Sequence, residues 1–142
     1  MKSQQHVNSY YANSIKDETD YPVLEQELTT DICIVGGGFS GVSAGLHLSE
    51  LGYKVVIVEA NKIGWGATGR NGGEIIGGFS GDAIMQKKYD TKYTDMVWNM
   101  RWEGNDIIRK RVEKYNIDCD LKWGYLDVAI KKRHIQDLKF SY

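Results

Sequence analysis

Three glycines and one carboxylate have the types and spacing to do chemistry in this chain. Gly36, Gly38 and Gly41 form a G-x-G-x-x-G triplet within the string GGGFSG, and Glu59 stands 23 residues after Gly36. A glycine triplet alone is a weak signal; it gains meaning when a strand precedes it and a helix comes after it. In that setting Gly36 permits a tight turn, Gly38 lets a pyrophosphate approach bare backbone, and Gly41 lets the helix close on the strand. The N–H groups around Phe39 and Ser40 would then point at the phosphates with the helix dipole behind them. Glu59 stands near the spacing of an acid that accepts hydrogen bonds from both hydroxyls of an adenosine ribose. Its charge would repel a 2′-phosphate, which disfavours NADP. The competing reading of Glu59 is a solvated strand end.

The elements needed to position these residues are legible around them. Ile32-Cys33-Ile34-Val35 is a short β-branched run, as expected of a strand buried on both faces of a parallel sheet. Phe39 to Leu51 carries Val42, Leu46 and Leu51 at helical spacing with Leu48 between, and Gly52 stands where a helix C′ glycine belongs. Small residues Ala44 and Gly45 favour close packing. Lys54 to Glu59 is a second apolar strand, so the three segments make a βαβ unit.

The segment after Glu59 separates two dinucleotides. An NAD domain usually continues into another crossover helix. Here a second glycine-rich loop, Lys62 to Gly73, comes at once and carries Arg70 and Asn71. Arg70 could neutralise pyrophosphate charge and Asn71 could hydrogen-bond ribityl or flavin edges, which points to FAD. A surface loop with a solvated arginine is the alternative.

The rest of the chain is read more coarsely. Residues 1–28 form an arm with little periodicity, in which Pro22 argues against a regular helix and Tyr10-Tyr11 either dock on a larger body or stand half exposed. Residues 61–81 are irregular. Residues 91–115 predict an amphipathic helix with Val97, Met100, Ile108, Val112 and Tyr115 on one side, and Trp98 and Trp102 sharing a face as packing residues. A short strand is expected at Tyr125–Ile130 and a helix at 131–139. The resulting division is an arm (1–28), a βαβ unit with its second loop (29–81), and a helical segment that begins a substrate domain (82–142).

Composition excludes several classes. Among 142 residues there are 16 glycines, one proline and a net charge of −1. The charge is split, about −4 over residues 1–81 and +3 over 82–142, too little in either half to indicate nucleic acid or a membrane surface. No apolar run is long enough to cross a bilayer, and residues 1–20 lack the apolar segment of a secretory signal. Cys33 and Cys119 are in no metal-ligand spacing and read as buried, reduced thiols in a cytoplasmic protein. His134 stands alone in a basic stretch and reads as solvated. No nucleophile–base set is evident, so the catalytic residues are unknown and no metal is expected.

The run DICIVGGGFSGVSAGLHLSELGYKVVIVEANKIGWGATGRNGG resembles the N-terminus of the D-amino acid oxidase-type flavoproteins, the DAO family. The arm SYYA (Ser9–Ala12), the helix GNDIIRKRVEKYNIDCDLK (Gly104–Lys122) and the stretch after it resemble an amine-oxidising bacterial branch, so the resemblance covers nearly the whole chain. It implies an α/β fold with a Rossmann-like βαβ FAD-binding unit, with helices and a short strand after it. It implies FAD held in an extended form by Gly36, Gly38, Phe39, Ser40, Gly41, Glu59, Ala67, Thr68, Arg70, Asn71, Gly72 and Gly73. The implied reaction is hydride transfer from a small-molecule amine to the flavin, with dioxygen as acceptor giving hydrogen peroxide; water then hydrolyses the imine to aldehyde and ammonia. Some relatives tether the flavin through a histidine in this second loop. Arg70 fills that slot here, which excludes a histidyl link at that position. The family is several times longer than this chain, so the sheet is expected to be incomplete and a C-terminal portion is an expected partner. Two other readings stay open: part of an NAD-dependent dehydrogenase in which the second loop is incidental, and a non-catalytic remnant.

Overall fold

The computed structural model describes residues 4–16, 19–77, 84, 88–89 and 91–141. The chain divides into two compact units, Met1–Glu74 and Ile75–Tyr142. The boundary expected at residues 81 and 82 lies outside the described residues.

In the first unit, β1 (Ile32–Val35) pairs in parallel with β2 (Val55–Val58), in the register Ile32 to Val55 through Val35 to Val58. Gly36 extends the ladder by donating to the Val58 carbonyl at 2.8 Å. At the other end the Lys54 N–H donates to the Asp31 carboxylate at 2.8 Å and the Thr30 hydroxyl donates to the Lys54 carbonyl at 2.6 Å. The arm holds one helical turn, α1 (Tyr10–Asn13), because the Ser9 hydroxyl accepts from Ala12 N–H and caps it. Between the strands runs α2 (Phe39–Glu50). Its C-terminus is a Schellman motif: Tyr53 N–H reaches the Leu48 carbonyl at 3.2 Å and Gly52 N–H reaches Ser49 at 3.0 Å, with Gly52 at φ +92°.

Packing in this unit differs from the sequence expectation in a consistent way. The helix α2 covers one face of β1, whose other face is exposed, while all four residues of β2 are half-buried. Ile32 and Ile34 are half-buried while Cys33 and Val35 are exposed, so β1 is not buried on both faces and Cys33 is not a buried thiol. The covering ridge of α2 is Gly41, Gly45 and Leu48; a Cβ on Gly45 would lie 2.8 Å from Ile57 Cδ1. Val42 and Leu51 therefore face away and stay exposed. Gly41 and Gly45 let the helix lie close to the strands, and Leu46 and Leu48 are half-buried, so Val42 and Leu51 are the exposed members of the expected set.

The second unit holds α3 (Thr91–Lys114) and α4 (His134–Ser141). The more covered side of α3 carries Thr94, Val97, Arg101, Asn105 and Val112, whereas Met100, Ile108 and Tyr115 of the expected stripe are exposed. Arg101 occupies that side because its Nε and Nη2 both donate to the Gly77 carbonyl, at 3.2 and 3.0 Å. Trp98 and Trp102 do share a face, edge to face with centroids 6.2 Å apart, and Arg101 lies over Trp98. The helix ends in a second Schellman motif with Asn116 at φ +48°, and Ile117 N–H reaches the Val112 carbonyl at 3.0 Å. Cys119, in the irregular stretch beyond, is exposed rather than buried.

No strand forms at Tyr125–Ile130. Tyr125, Leu126, Val128 and Ile130 are exposed there, and no described segment pairs with their backbone. A strand needs a partner, and β-forming residues without one stay irregular. The last helix starts three residues later than expected. His134 at its start is half-buried rather than solvated, with Arg133 Nε 3.5 Å from its Nε2.

Gly104, inside α3, has nothing within 4 Å of where a Cβ would stand. Gly104→Ala should therefore stabilise the protein by about 1 kcal/mol through helix propensity alone, read as a higher urea midpoint. A lower midpoint would show that this flank of α3 is in contact with something.

Candidate dinucleotide site

The site is built where β1 ends and α2 begins. Gly36 turns out of the strand at φ +107°, a conformation that costs a residue with a Cβ about 1–3 kcal/mol. The closest approach is at Gly41, where a Cβ would stand 2.0 Å from the Gly36 carbonyl oxygen and 3.3 Å from Ile34 Cγ2. Gly41 thus sets the distance between helix start and turn.

Gly38 is the N-cap of α2 and has no side chain to cap it. Thr68, from the second loop, supplies the cap instead: its Oγ1 accepts from Phe39 N–H at 3.0 Å. The Phe39 N–H, expected to be free for phosphate, is thus already bonded. Those of Ser40 and Gly41 have no protein acceptor among the described residues, as the first turn of a helix leaves them. Thr68→Val keeps the shape and removes the acceptor. It should cost about 1 kcal/mol, as loss of a helix cap does; an unchanged urea midpoint would show that the bond carries no weight.

Around this helix start lies an open groove of about 560 Å³, lined by Val35, Gly36, Gly38, Phe39, Ser40, Gly41, Ala67, Thr68 and Asn71. Eight of the residues expected from sequence are brought together here; Val35 is the one lining residue that the motif did not name. Glu59, Arg70, Gly72 and Gly73 are not part of the groove wall.

Glu59 has a role in the turn itself. Its Oε2 accepts from Gly37 N–H at 2.7 Å and its Oε1 from Asn61 N–H at 2.9 Å. These donors, Gly37 first, hold its carboxyl below the usual carboxylate pKa, against a small opposing effect of burial. The carboxylate thus ties the end of β2 to the glycine turn, and each oxygen keeps a further lone pair. Gly37, absent from the sequence-based set, is the buried residue at this junction; a Cβ there would meet Ile63 Cδ1 at 2.6 Å. Three consecutive glycines where the motif needs only two was the available signal.

The second loop is internally bonded. Asn71 Nδ2 donates to the Thr68 carbonyl at 2.7 Å, and its Oδ1 accepts from Gly73 N–H at 2.8 Å. Gly73, at φ +72°, and Gly72 thus shape the loop's exit. Arg70 Nε donates to the Trp65 carbonyl at 3.0 Å, with its guanidinium 4.3 Å from the Trp65 ring centroid. Gly64 N–H donates to the Gly37 carbonyl at 2.9 Å, joining this loop to the glycine turn. No described helix is long and apolar enough to cross a membrane.

Comparison with known proteins gives the family. The DAO family model, described as FAD dependent oxidoreductase, matches residues 31–140. The chain is 41% identical over 136 residues to gamma-glutamylputrescine oxidoreductase of Escherichia coli, covering 95% of this chain and 32% of that protein. It is 43% identical over 136 residues to the probable oxidoreductase OrdL of Haemophilus influenzae, with the same coverage, 95% and 32%. OrdL of Rhizobium meliloti is 26% identical over 128 residues, covering 87% of this chain and 29% of that protein. The chain thus spans about a third of the length of the curated relatives it matches. No solved structure gave a significant match. A glycine turn closed by Glu59 and a family match over most of the chain lead to one conclusion: this chain belongs to the DAO family of FAD-dependent oxidoreductases.

Proposed function

We infer that this chain supplies the site for the ADP half of FAD in an oxidase acting on amines of the γ-glutamylputrescine type. The observation that carries the reading is the start of α2, where Ser40 and Gly41 offer N–H groups without a protein acceptor among the described residues, beside the side-chain-free Gly38. Such a helix start binds a pyrophosphate through backbone donors and the helix dipole. The residues fit the group: a side chain at Gly38 would intrude toward Thr68 Oγ1, 3.1 Å from its Cβ position, at the wall of the groove.

In this reading Gly36, Gly38, Ser40 and Gly41 hold the pyrophosphate. Glu59 uses its remaining lone pairs to accept from ribose hydroxyls while its present bonds keep it ionised and oriented. Thr68 and Asn71 form the opposite wall, and Gly72 and Gly73 shape that loop. Arg70 adds positive charge near the mouth and, unlike histidine, makes no covalent link to a flavin. When bound, FAD supplies a two-electron acceptor for hydride from the amine C–N bond, with dioxygen as the final acceptor giving hydrogen peroxide. The amine substrate is read from the name of the 41%-identical relative.

The test is peroxide formation by the complete gene product, purified and supplied with FAD, on γ-glutamylputrescine. Turnover is expected. Flavin binding without turnover on γ-glutamylated or free amines would reject the substrate class, and NAD binding in place of FAD would favour a dehydrogenase. The 142-residue chain by itself should form no peroxide, because its groove residues grip the cofactor and supply no substrate wall. Peroxide from the isolated chain would contradict that.

A further inference from the structure

The second loop, residues 61–73, contains a single 3-10 turn, Ala67–Gly69, yet it contributes Ala67, Thr68 and Asn71 to the groove. Glycine-rich backbone stays ordered only where contacts offset its conformational entropy. On one side those contacts are to the glycine turn, through Gly64 and Thr68. On the other side they come from the N-terminal arm. Gln4 N–H donates to Asn61 Oδ1 at 2.9 Å. Trp65 Nε1–H donates to the Gln5 carbonyl at 3.0 Å. Lys62 Nζ pairs with Asp20 Oδ1 at 2.5 Å. The Tyr11 ring stands 3.8 Å from the Cβ position of Gly73, and the His6 ring 4.0 Å from that of Gly69.

Trp65 connects the arm to the loop's polar residues. An indole N–H is a donor only and needs an acceptor when partly buried. The Gln5 carbonyl is that acceptor, and it fixes the ring on which the Arg70 guanidinium lies. Arg70 in turn precedes Asn71, whose amide links Thr68 to Gly73.

We propose that the N-terminal arm, through Gln4, Gln5, Tyr11 and Asp20, is a strap that positions the second loop for the cofactor, with Trp65 as the positioning residue that links the arm to Arg70 and Asn71. This deepens the FAD reading and rests on it, since the positioned loop is one wall of that groove. The hydrogen bond that joins Gly37 to Glu59 does not involve the arm, so loss of the strap loosens one wall and leaves the glycine turn intact. The cofactor then leaves faster.

The test compares the complete gene product with a form lacking residues 1–6, with Trp65→Phe, and with the two combined. Trp65→Phe removes the indole N–H and keeps an aromatic face for Arg70. Each change should weaken FAD binding about tenfold, mainly through faster dissociation, and the combination should be no weaker than the truncation, because both break the same bond. Without FAD, amide hydrogen exchange at residues 61–73 should quicken in each variant while that of β1 and β2 stays as in the parent. Wild-type affinity with unchanged exchange in the loop would overturn the proposal. Additive losses with equal loss of protection in β1 and β2 would overturn it too, by showing a general stabilising role. If the parent binds no FAD, the FAD reading fails, and the exchange pattern alone still decides whether the arm orders the loop.

Discussion

Gly41→Ala will weaken FAD binding by at least about a hundredfold. The added Cβ would stand 2.0 Å from the Gly36 carbonyl oxygen and 3.2 Å from its carbonyl carbon. Both neighbours are backbone and neither can rotate aside as the end of a side chain could. Either the first turn of α2 lifts from the strand or the Gly36 turn changes conformation. Overpacking of this kind costs about 3 kcal/mol, and every tenfold in affinity corresponds to about 1.4 kcal/mol. Lifting the helix also moves the N–H groups of Ser40 and Gly41, the two at the groove without a protein acceptor among the described residues. Affinity should therefore fall further than stability. Gly104→Ala is the control for a glycine replaced in open space and should leave FAD affinity unchanged. Titration of FAD by fluorescence quenching reads both; tight binding by the Gly41 variant would mean that the close approach at the turn is not needed.

Glu59→Gln should weaken FAD binding by roughly 10–100-fold, and its pH dependence separates it from a general loss of stability. Both carboxylate oxygens accept a backbone N–H, from Gly37 and Asn61. An amide can replace only one of those acceptors and presents N–H₂ to the other donor. Leaving such a donor unsatisfied costs about 1–3 kcal/mol. The folded state holds the carboxyl below its ordinary value of 4.5, through Gly37 first and Asn61 next. The stabilisation is therefore fully present above pH 4.5 and is lost as pH falls through the lowered value. Wild-type melting temperature and FAD affinity should fall together over that acid window, and Glu59→Gln should flatten that fall. An acid limb of equal depth in the variant would assign it to other carboxylates.

The βαβ unit was legible because its signals are local. Gly36, Gly38, Gly41 and Gly52 each answer a backbone demand set by a few neighbouring residues, and the strands on either side are short apolar runs. Glu59 was found by spacing, but its bonds to Gly37 and Asn61 were not, since the usual reason for that acid is the ribose. Burial was the least legible property. Cys33, Val42 and Met100 looked like core from residue type and period, yet each is exposed because no second layer covers it among the described residues. Tyr125–Ile130 shows the same limit for hydrogen bonding, since a strand exists only beside another strand. The arm's role was hidden for a different reason. Two of its contacts to the loop use the backbone of Gln4 and Gln5, which leaves no mark on side-chain type, and the Lys62–Asp20 pair joins residues 42 apart in the chain.

The most direct test of the central claim, that the turn from Gly36 to Gly41 together with Glu59 binds the ADP half of FAD, is a spectroscopic FAD titration of the complete gene product with ADP as competitor. The account predicts a saturable one-to-one flavin band, displaced by ADP and far less by 2′-phospho-ADP, and lost in Gly41→Ala. Saturable flavin binding that ADP does not displace and that Gly41→Ala leaves intact would contradict it.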